Sequence, residues 1–189
     1  MKVPCAYLLS CSLLSFVPLM GGQTPVKSDS IVSYSRATDG VDLQTHNGTL
    51  SVSLCTDSLV HVVFSPPKSS SHPQPWIVRS DWPAVTFDVA EDSSHNVILT
   101  TKRLRIVAER DSAALVFQDV KGNALVRESA SPAPRDLRAA TVDGENTFHV
   151  NAYFDLTKDE ALYGLGQHQS GLLNQRGTDL LLMQDNTNI

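Results

Sequence analysis

Side chains able to do chemistry crowd toward the C-terminal end of the chain. Between Asp159 and Gly177 stand Gly164, Gly166, Gly171 and Gly177, with Tyr163, Gln167, His168, Gln169, Asn174, Gln175 and Arg176 among them. Glycines at that density let a backbone take positive φ or approach another surface closely, at a cost in entropy. Just beyond, Gln184-Asp185-Asn186-Thr187-Asn188 presents short side chains that both donate and accept, which suits a ligand rich in hydroxyls. Taken by residue type alone, the stretch reads more simply as a loop that hydrogen-bonds its own backbone.

Catalytic machinery is hard to find. The six histidines (His46, His61, His72, His95, His149 and His168) have no ligand spacing and there is no Cys-x-x-Cys, so no metal site is assigned. Gly164-Leu165-Gly166 fails as a dinucleotide fingerprint, because the third glycine position holds Gln169 and no βαβ unit surrounds it. Ser170-Gly171 fails as a nucleophile elbow, because the preceding glycine position holds His168. Asp159 and Glu160 are adjacent and diverge on a turn, as solvated carboxylates rather than an acid/base pair. Trp76 and Trp82 could stack on a pyranose, but beside prolines they read better as caps on a core. No catalytic residue and no cofactor follow from this chain.

The elements that must position these groups are strands. Leu50, Val52 and Leu54 alternate with serines; Val60, Val62 and Phe64 share a face; so do Val85, Phe87 and Val89, then Leu104, Ile106 and Ala108, then Phe148, Val150, Ala152 and Phe154. Period two puts one face on a core and the other toward polar surroundings. Asp39-Gly40, Asn47-Gly48, Lys121-Gly122-Asn123 and Asp143-Gly144 are the intervening turns. Asn47-Gly48-Thr49 also matches a glycosylation acceptor, though a hairpin explains its Asn-Gly pair better. No stretch has helical periodicity. The pattern predicts an all-β, antiparallel sandwich or barrel, with surface loops at Pro66–Pro75 and Ser129–Arg138 and a further strand beginning at Leu180–Met183. Cys55 closes a strand as a small packed side chain.

At 189 residues, with 41% hydrophobic and 19% charged residues, the chain has room for one sizeable globular domain. A net charge of −5 with no Lys/Arg block excludes nucleic acid and an anionic membrane surface as partners. Lys2, the apolar run Ala6–Met20 and then Gly21-Gly22 have the form of a secretory signal peptide. The run is short for a transmembrane helix, and the stretch before Cys11 is short for a lipoprotein box. The expected organisation is a signal peptide over 1–22, a polar lead-in over 23–30 and one domain over 31–189. Such a protein is exported, periplasmic or extracellular, and free of the membrane once the signal is cleaved. Cys5 and Cys11 leave with the signal, so Cys55 has no intramolecular disulfide partner.

Glu160-Ala161-Leu162-Tyr163-Gly164-Leu165-Gly166-Gln167-His168-Gln169-Ser170-Gly171, followed by Asn174 and Arg176-Gly177, resembles the N-terminal domain of glycoside hydrolase family 31, which includes α-glucosidases and α-xylosidases. Upstream, Asp119 and Gly122, then Phe154 and Glu160, keep the same order. The resemblance implies a galactose-mutarotase-like β-sandwich placed before a catalytic (β/α)8 barrel of the same polypeptide. That barrel would carry two catalytic aspartates of a retaining mechanism, whose carboxyls stand about 5 Å apart. A barrel of this kind takes about 250 residues, so the chain is expected to be part of a longer protein and inactive alone. A polar loop of the sandwich would reach over the barrel, and Asp185, Asn186 and Thr187 match its position as substrate-binding residues. Asp185 differs from the residue of the α-xylosidase-type motif. The implied partner is an α-linked oligosaccharide or glycoside. Two rival readings are a free-standing carbohydrate-binding or adhesion sandwich without catalysis, and a mutarotase-like enzyme. The second needs an acid and a base on one concave face, and the sequence offers no convincing pair.

Overall fold

The structure, a computed structural model, describes residues 29–67, 81–165 and 171–182. Eleven strands in three antiparallel sheets make up the described secondary structure, without a helix. The first sheet is a meander of β1 (Ile31–Arg36), β2 (Gly40–Thr45), β3 (Thr49–Thr56) and β4 (Leu59–Ser65). A second meander holds β5 (Asp88–Glu91), β6 (Val97–Thr100), β7 (Leu104–Ala108), β8 (Leu115–Asp119) and β9 (Ala124–Arg127). The two form a sandwich, in which Val41, Leu43, Leu50, Val52 and Leu54 of the first sheet join Val97, Leu99, Ile106, Ala108 and Leu115 of the second in one buried cluster. Leu43, Leu50, Leu99, Ile106 and Leu115 are fully buried, and each stabilises the fold by about 1.5–3 kcal/mol. Alternation in the sequence thus becomes two inward faces.

The second sheet is apolar outside as well. Ile98 pairs with Val107 and Val107 with Val116, and this cross-strand row forms a separate buried cluster. It is not legible from period two, because β6 reads as an unbroken Val97-Ile98-Leu99 run.

Turn chemistry sets the register. Gly40 packs so tightly that a Cβ there would meet the carbonyl oxygen of Val52 at 1.9 Å. Gly48 is as confined, its Cβ position 2.1 Å from the Ser65 carbonyl oxygen. The hairpins β5–β6 and β8–β9 share one device. Asp92 accepts from the N–H groups of Ser94 and Asn96 and from the Asn96 side chain. Asp119 does the same with Lys121, Asn123 and the Asn123 side chain.

The third sheet is a long ribbon, β10 (Arg135–Val142) and β11 (Glu145–Ala152), closed by Asp143 and Gly144 at φ 51° and 84°. Two positive φ values are what a type I′ turn demands. Four expectations are corrected here. Ser129–Arg138 is not a surface loop throughout: Ala133 and Pro134 are buried and β10 begins at Arg135. The apolar face of β11 does not meet the core, since Phe148 and Val150 are 47% and 65% exposed. The ribbon pairs within itself rather than joining either sandwich sheet. Leu180–Leu182 form no strand, and Met183 lies outside the described residues. The alternation around Val85 also starts late as a strand, at Asp88, with Phe87 already buried in the core.

Candidate functional site

The motif-bearing segment begins where the chain leaves β11 and turns along the β9 edge. Asp155 N–H donates to the Arg127 carbonyl, Ser129 N–H to the Tyr153 carbonyl, and Phe154 bridges Glu128. These bonds pair the segment with the last residue of β9 and the two residues that follow it.

Beneath this junction lies a buried ion pair. Glu128 and Arg135 meet side chain to side chain, the Glu128 carboxylate also accepts from Leu115 N–H at 2.7 Å, and Arg135 Nη1 donates to the Ala113 carbonyl at 3.0 Å. Burial pushes the Glu128 carboxyl up, and the Arg135 charge and the Leu115 N–H pull against it. The pair ties β8, the start of β10 and the motif-bearing segment to one point. Nothing in the sequence singled it out, because its arginine lay in the supposed loop.

Further on, three consecutive side chains knit the loop from within. Asn174 Oδ1 accepts from the N–H groups of Leu162 (3.0 Å) and Arg176 (3.1 Å). Gln175 is buried, its N–H donating to the Leu162 carbonyl and its Nε2 to the Leu172 carbonyl. Arg176 Nη1 donates to the Glu160 carbonyl at 2.7 Å and to the Thr157 carbonyl. Glu160 caps the same turn by accepting from Thr157 N–H at 2.9 Å. Asp159 and Glu160 are exposed.

Alongside these bonds to the loop's own backbone, large apolar side chains stand exposed. Tyr163 is 63% exposed, Leu173 79% and Leu181 83%, with Leu165, Leu172 and Leu182 exposed beside them. Exposed apolar side chains grouped in this way are a feature of interaction surfaces. Gly164 and Leu165, at φ 88° and 61°, shape the turn; Gly166, Gln167, His168, Gln169 and Ser170 lie outside the described residues.

Asp185, Asn186 and Thr187, the expected substrate-binding residues, also lie outside the described residues, as does Trp76, while Trp82 is half-buried. Among the described residues, no group of three or more His, Cys, Asp or Glu is placed to hold a metal ion. Cys55 is buried and its thiol is pushed up by burial, with Asp39 adding to the shift.

Residues 49–188 match the family model of the glycosyl hydrolase 31 N-terminal galactose mutarotase-like domain. Among solved structures, the chain is similar to the GH31 alpha-xylosidase from Xanthomonas citri, with a TM-score of 0.67 and 27% identity, over 80% of this chain and 16% of that one. It also shares its fold with the GH31 dextranase of Flavobacterium johnsoniae (TM-score 0.61, 22% identity, 80% of this chain and 18% of that one). A third similar structure is the cycloalternan-forming enzyme of Listeria monocytogenes (TM-score 0.61, 20% identity, 81% and 14%). The chain therefore spans less than a fifth of the length of each.

Proposed function

The chain belongs to the glycosyl hydrolase 31 N-terminal galactose mutarotase-like domain family, and from that premise we propose that it is the sandwich domain of an exported retaining α-glycosidase of α-xylosidase or α-glucosidase type. In this reading the sandwich flanks a catalytic (β/α)8 barrel of the same polypeptide and narrows its mouth. Asp185, Asn186 and Thr187 supply polar contacts to an α-linked oligosaccharide or glycoside, and the signal peptide over 1–22 directs export to the periplasm or outside the cell.

One observation carries the reading: within the described residues 157–165 and 171–182, Asn174 and Arg176 hydrogen-bond the loop's own backbone, and Tyr163, Leu173 and Leu181 stand exposed. A leucine surface held rigid by hydrogen bonds fits a large apolar partner better than a sugar. A free-standing binding module would leave that surface wet, and this disfavours it. Each polar contact from residues 185–187 would contribute about 0.5–1.5 kcal/mol of binding, enough to tune specificity without creating catalysis.

The test joins this chain to its barrel and assays release from aryl α-xylosides and α-glucosides. The joined protein is expected to hydrolyse one of them, the 189-residue chain alone neither, and Asp185→Ala is expected to raise KM while leaving kcat nearly unchanged. Hydrolysis by the isolated chain would overturn the assignment.

A further inference from the structure

We propose that β11 is an interior strand in the whole polypeptide: its outer edge takes a further β-strand, supplied from outside residues 1–189, whose apolar side chains continue the face of Phe148 and Val150. The register of the ribbon fixes what that edge offers. Leu137, Ala139, Phe148, Val150 and Ala152 share one face, while Asp136, Arg138, His149 and Asn151 share the other. Tyr153 N–H donates to the Pro134 carbonyl, so the pair next after Arg135↔Ala152 is a hydrogen-bonded one. Bonded and non-bonded pairs alternate along antiparallel strands. Asp136↔Asn151, Arg138↔His149 and Ala140↔Thr147 are therefore bonded pairs. Asn146, Phe148, Val150 and Ala152 turn their N–H and C=O groups away from β10. No described strand pairs with that side of β11, and its residues are all exposed.

The sandwich protects its own edges and the ribbon does not. Proteins blunt exposed edges with bulges, short strands, Lys or Pro. β1, β4 and β9 each join their neighbour across a register shift, and β5 has only four residues, with Asp88 and Glu91 at its ends. The pairs of the ribbon run from Arg135↔Ala152 to Val142↔Glu145 without a shift, and β11 contains neither Lys nor Pro. A lone two-stranded hairpin is only marginally stable in water, and this one leaves Phe148 47% and Val150 65% exposed. An unpaired edge beside an apolar face is a template for a strand.

Size decides the source of that strand. The face and outer edge of two eight-residue strands offer roughly 400 Å², against about 800 Å² per partner in a stable complex. A second copy or a separate protein would be held weakly there, whereas a strand of the same polypeptide escapes most of the entropy of association. This rests on the reading that the chain is part of a longer protein, and it spans less than a fifth of the length of its structural relatives.

Amide hydrogen exchange tests the strand in the whole, barrel-joined polypeptide and in the 189-residue chain side by side. In the short chain, the Phe148 and Val150 amides should exchange freely while those of Thr147 and His149 are protected. In the whole polypeptide, Phe148 and Val150 should slow by at least about fivefold, the worth of one net hydrogen bond. Val150→Pro removes only an outward N–H, so the short chain should keep its ribbon and the whole polypeptide should lose protection at Phe148. His149→Pro removes an inward one and should open the ribbon in both. Equal exchange at Phe148 and Val150 in the two proteins would overturn the proposal. Protection in the short chain that grows with its concentration would overturn it too, by putting a second copy on the edge. So would protection of Phe148 that survives Val150→Pro, which means a face covered without strand pairing. Aryl-glycoside hydrolysis by the same sample keeps the two readings apart. Protection without activity removes only the enzyme assignment, and activity without protection removes only the strand.

Discussion

The guanidinium of Arg135 sits against the carboxylate of Glu128 inside the fold, with only about a tenth of either side chain reaching solvent. Between them they also hold the backbone of Leu115 and Ala113, so the pair fixes the ribbon to the second sheet of the sandwich. Breaking such a pair by removing one partner costs about 3–5 kcal/mol, because the remaining charge is stranded. Arg135→Met should therefore lower unfolding stability by that amount in urea. Glu128→Gln keeps an acceptor for Leu115 N–H but strands the Arg135 charge instead, and should fall in the same range.

The same pair has a pH signature. Burial already raises the Glu128 carboxyl above its ordinary 4.5, and losing the Arg135 charge raises it further. A raised carboxyl penalises the folded state only where the unfolded chain is ionised, so the penalty is absent below that value and grows as pH rises past it. The deficit of Arg135→Met should be smaller near pH 4 than at pH 7. Chemical unfolding at the two values measures this, and equal deficits would count against the stranded-charge account.

Asp92 and Asp119 act in the opposite sense. Side-chain and backbone hydrogen bonds from Asn96 and Asn123 hold their carboxyls below the usual 3.8. A depressed carboxyl contributes stability that is present above its unfolded value and lost as pH falls through the folded one. Between pH 4 and pH 2 the melting temperature should fall. Asp92→Asn and Asp119→Asn should each flatten that fall while lowering the melting temperature at pH 7, and an unchanged acid slope would contradict this.

Gly40 offers a steric test. The 1.9 Å approach of a Cβ to the Val52 carbonyl oxygen involves backbone on both sides, so the β2–β3 ladder must shift to admit alanine. Gly40→Ala should destabilise by about 2–4 kcal/mol, in the range of overpacked and strained sites. Gly122→Ala tests a different term. Its Cβ would meet nothing within 4 Å, but φ of 88° disfavours any side chain, and the cost should stay near 1 kcal/mol.

How much of this was legible follows from range. Strands β3, β4 and β7 read directly from alternation, and the Asp143-Gly144 turn from its dipeptide, because both signals are local. The exposed face of β11 carries the same alternation as a core strand. Period two says which side chains share a face and never what covers it, so Phe148 and Val150 read as core positions although they stand exposed. The Glu128–Arg135 pair joins two segments through burial, which no local pattern reports. Asn174, Gln175 and Arg176 looked like generic hydrogen-bonders suited to a ligand, yet the described loop turns them onto its own backbone, as the residue types alone had favoured.

That loop separates scaffold from surface. Asn174→Ala removes one acceptor shared by Leu162 and Arg176 N–H groups, and should cost about 1–2 kcal/mol with faster amide exchange at both residues. Asn174→Asp, which keeps the acceptor, should be milder. Leu173→Asp and Leu181→Asp probe the outside instead. Both side chains are mostly exposed, so in the isolated chain each should change stability by no more than about 0.5 kcal/mol. In the barrel-joined glycosidase the same aspartates would face an apolar partner, and activity or melting temperature should drop. Wild-type behaviour of both leucine variants in the joined protein would mean that this surface is not where the sandwich meets its barrel.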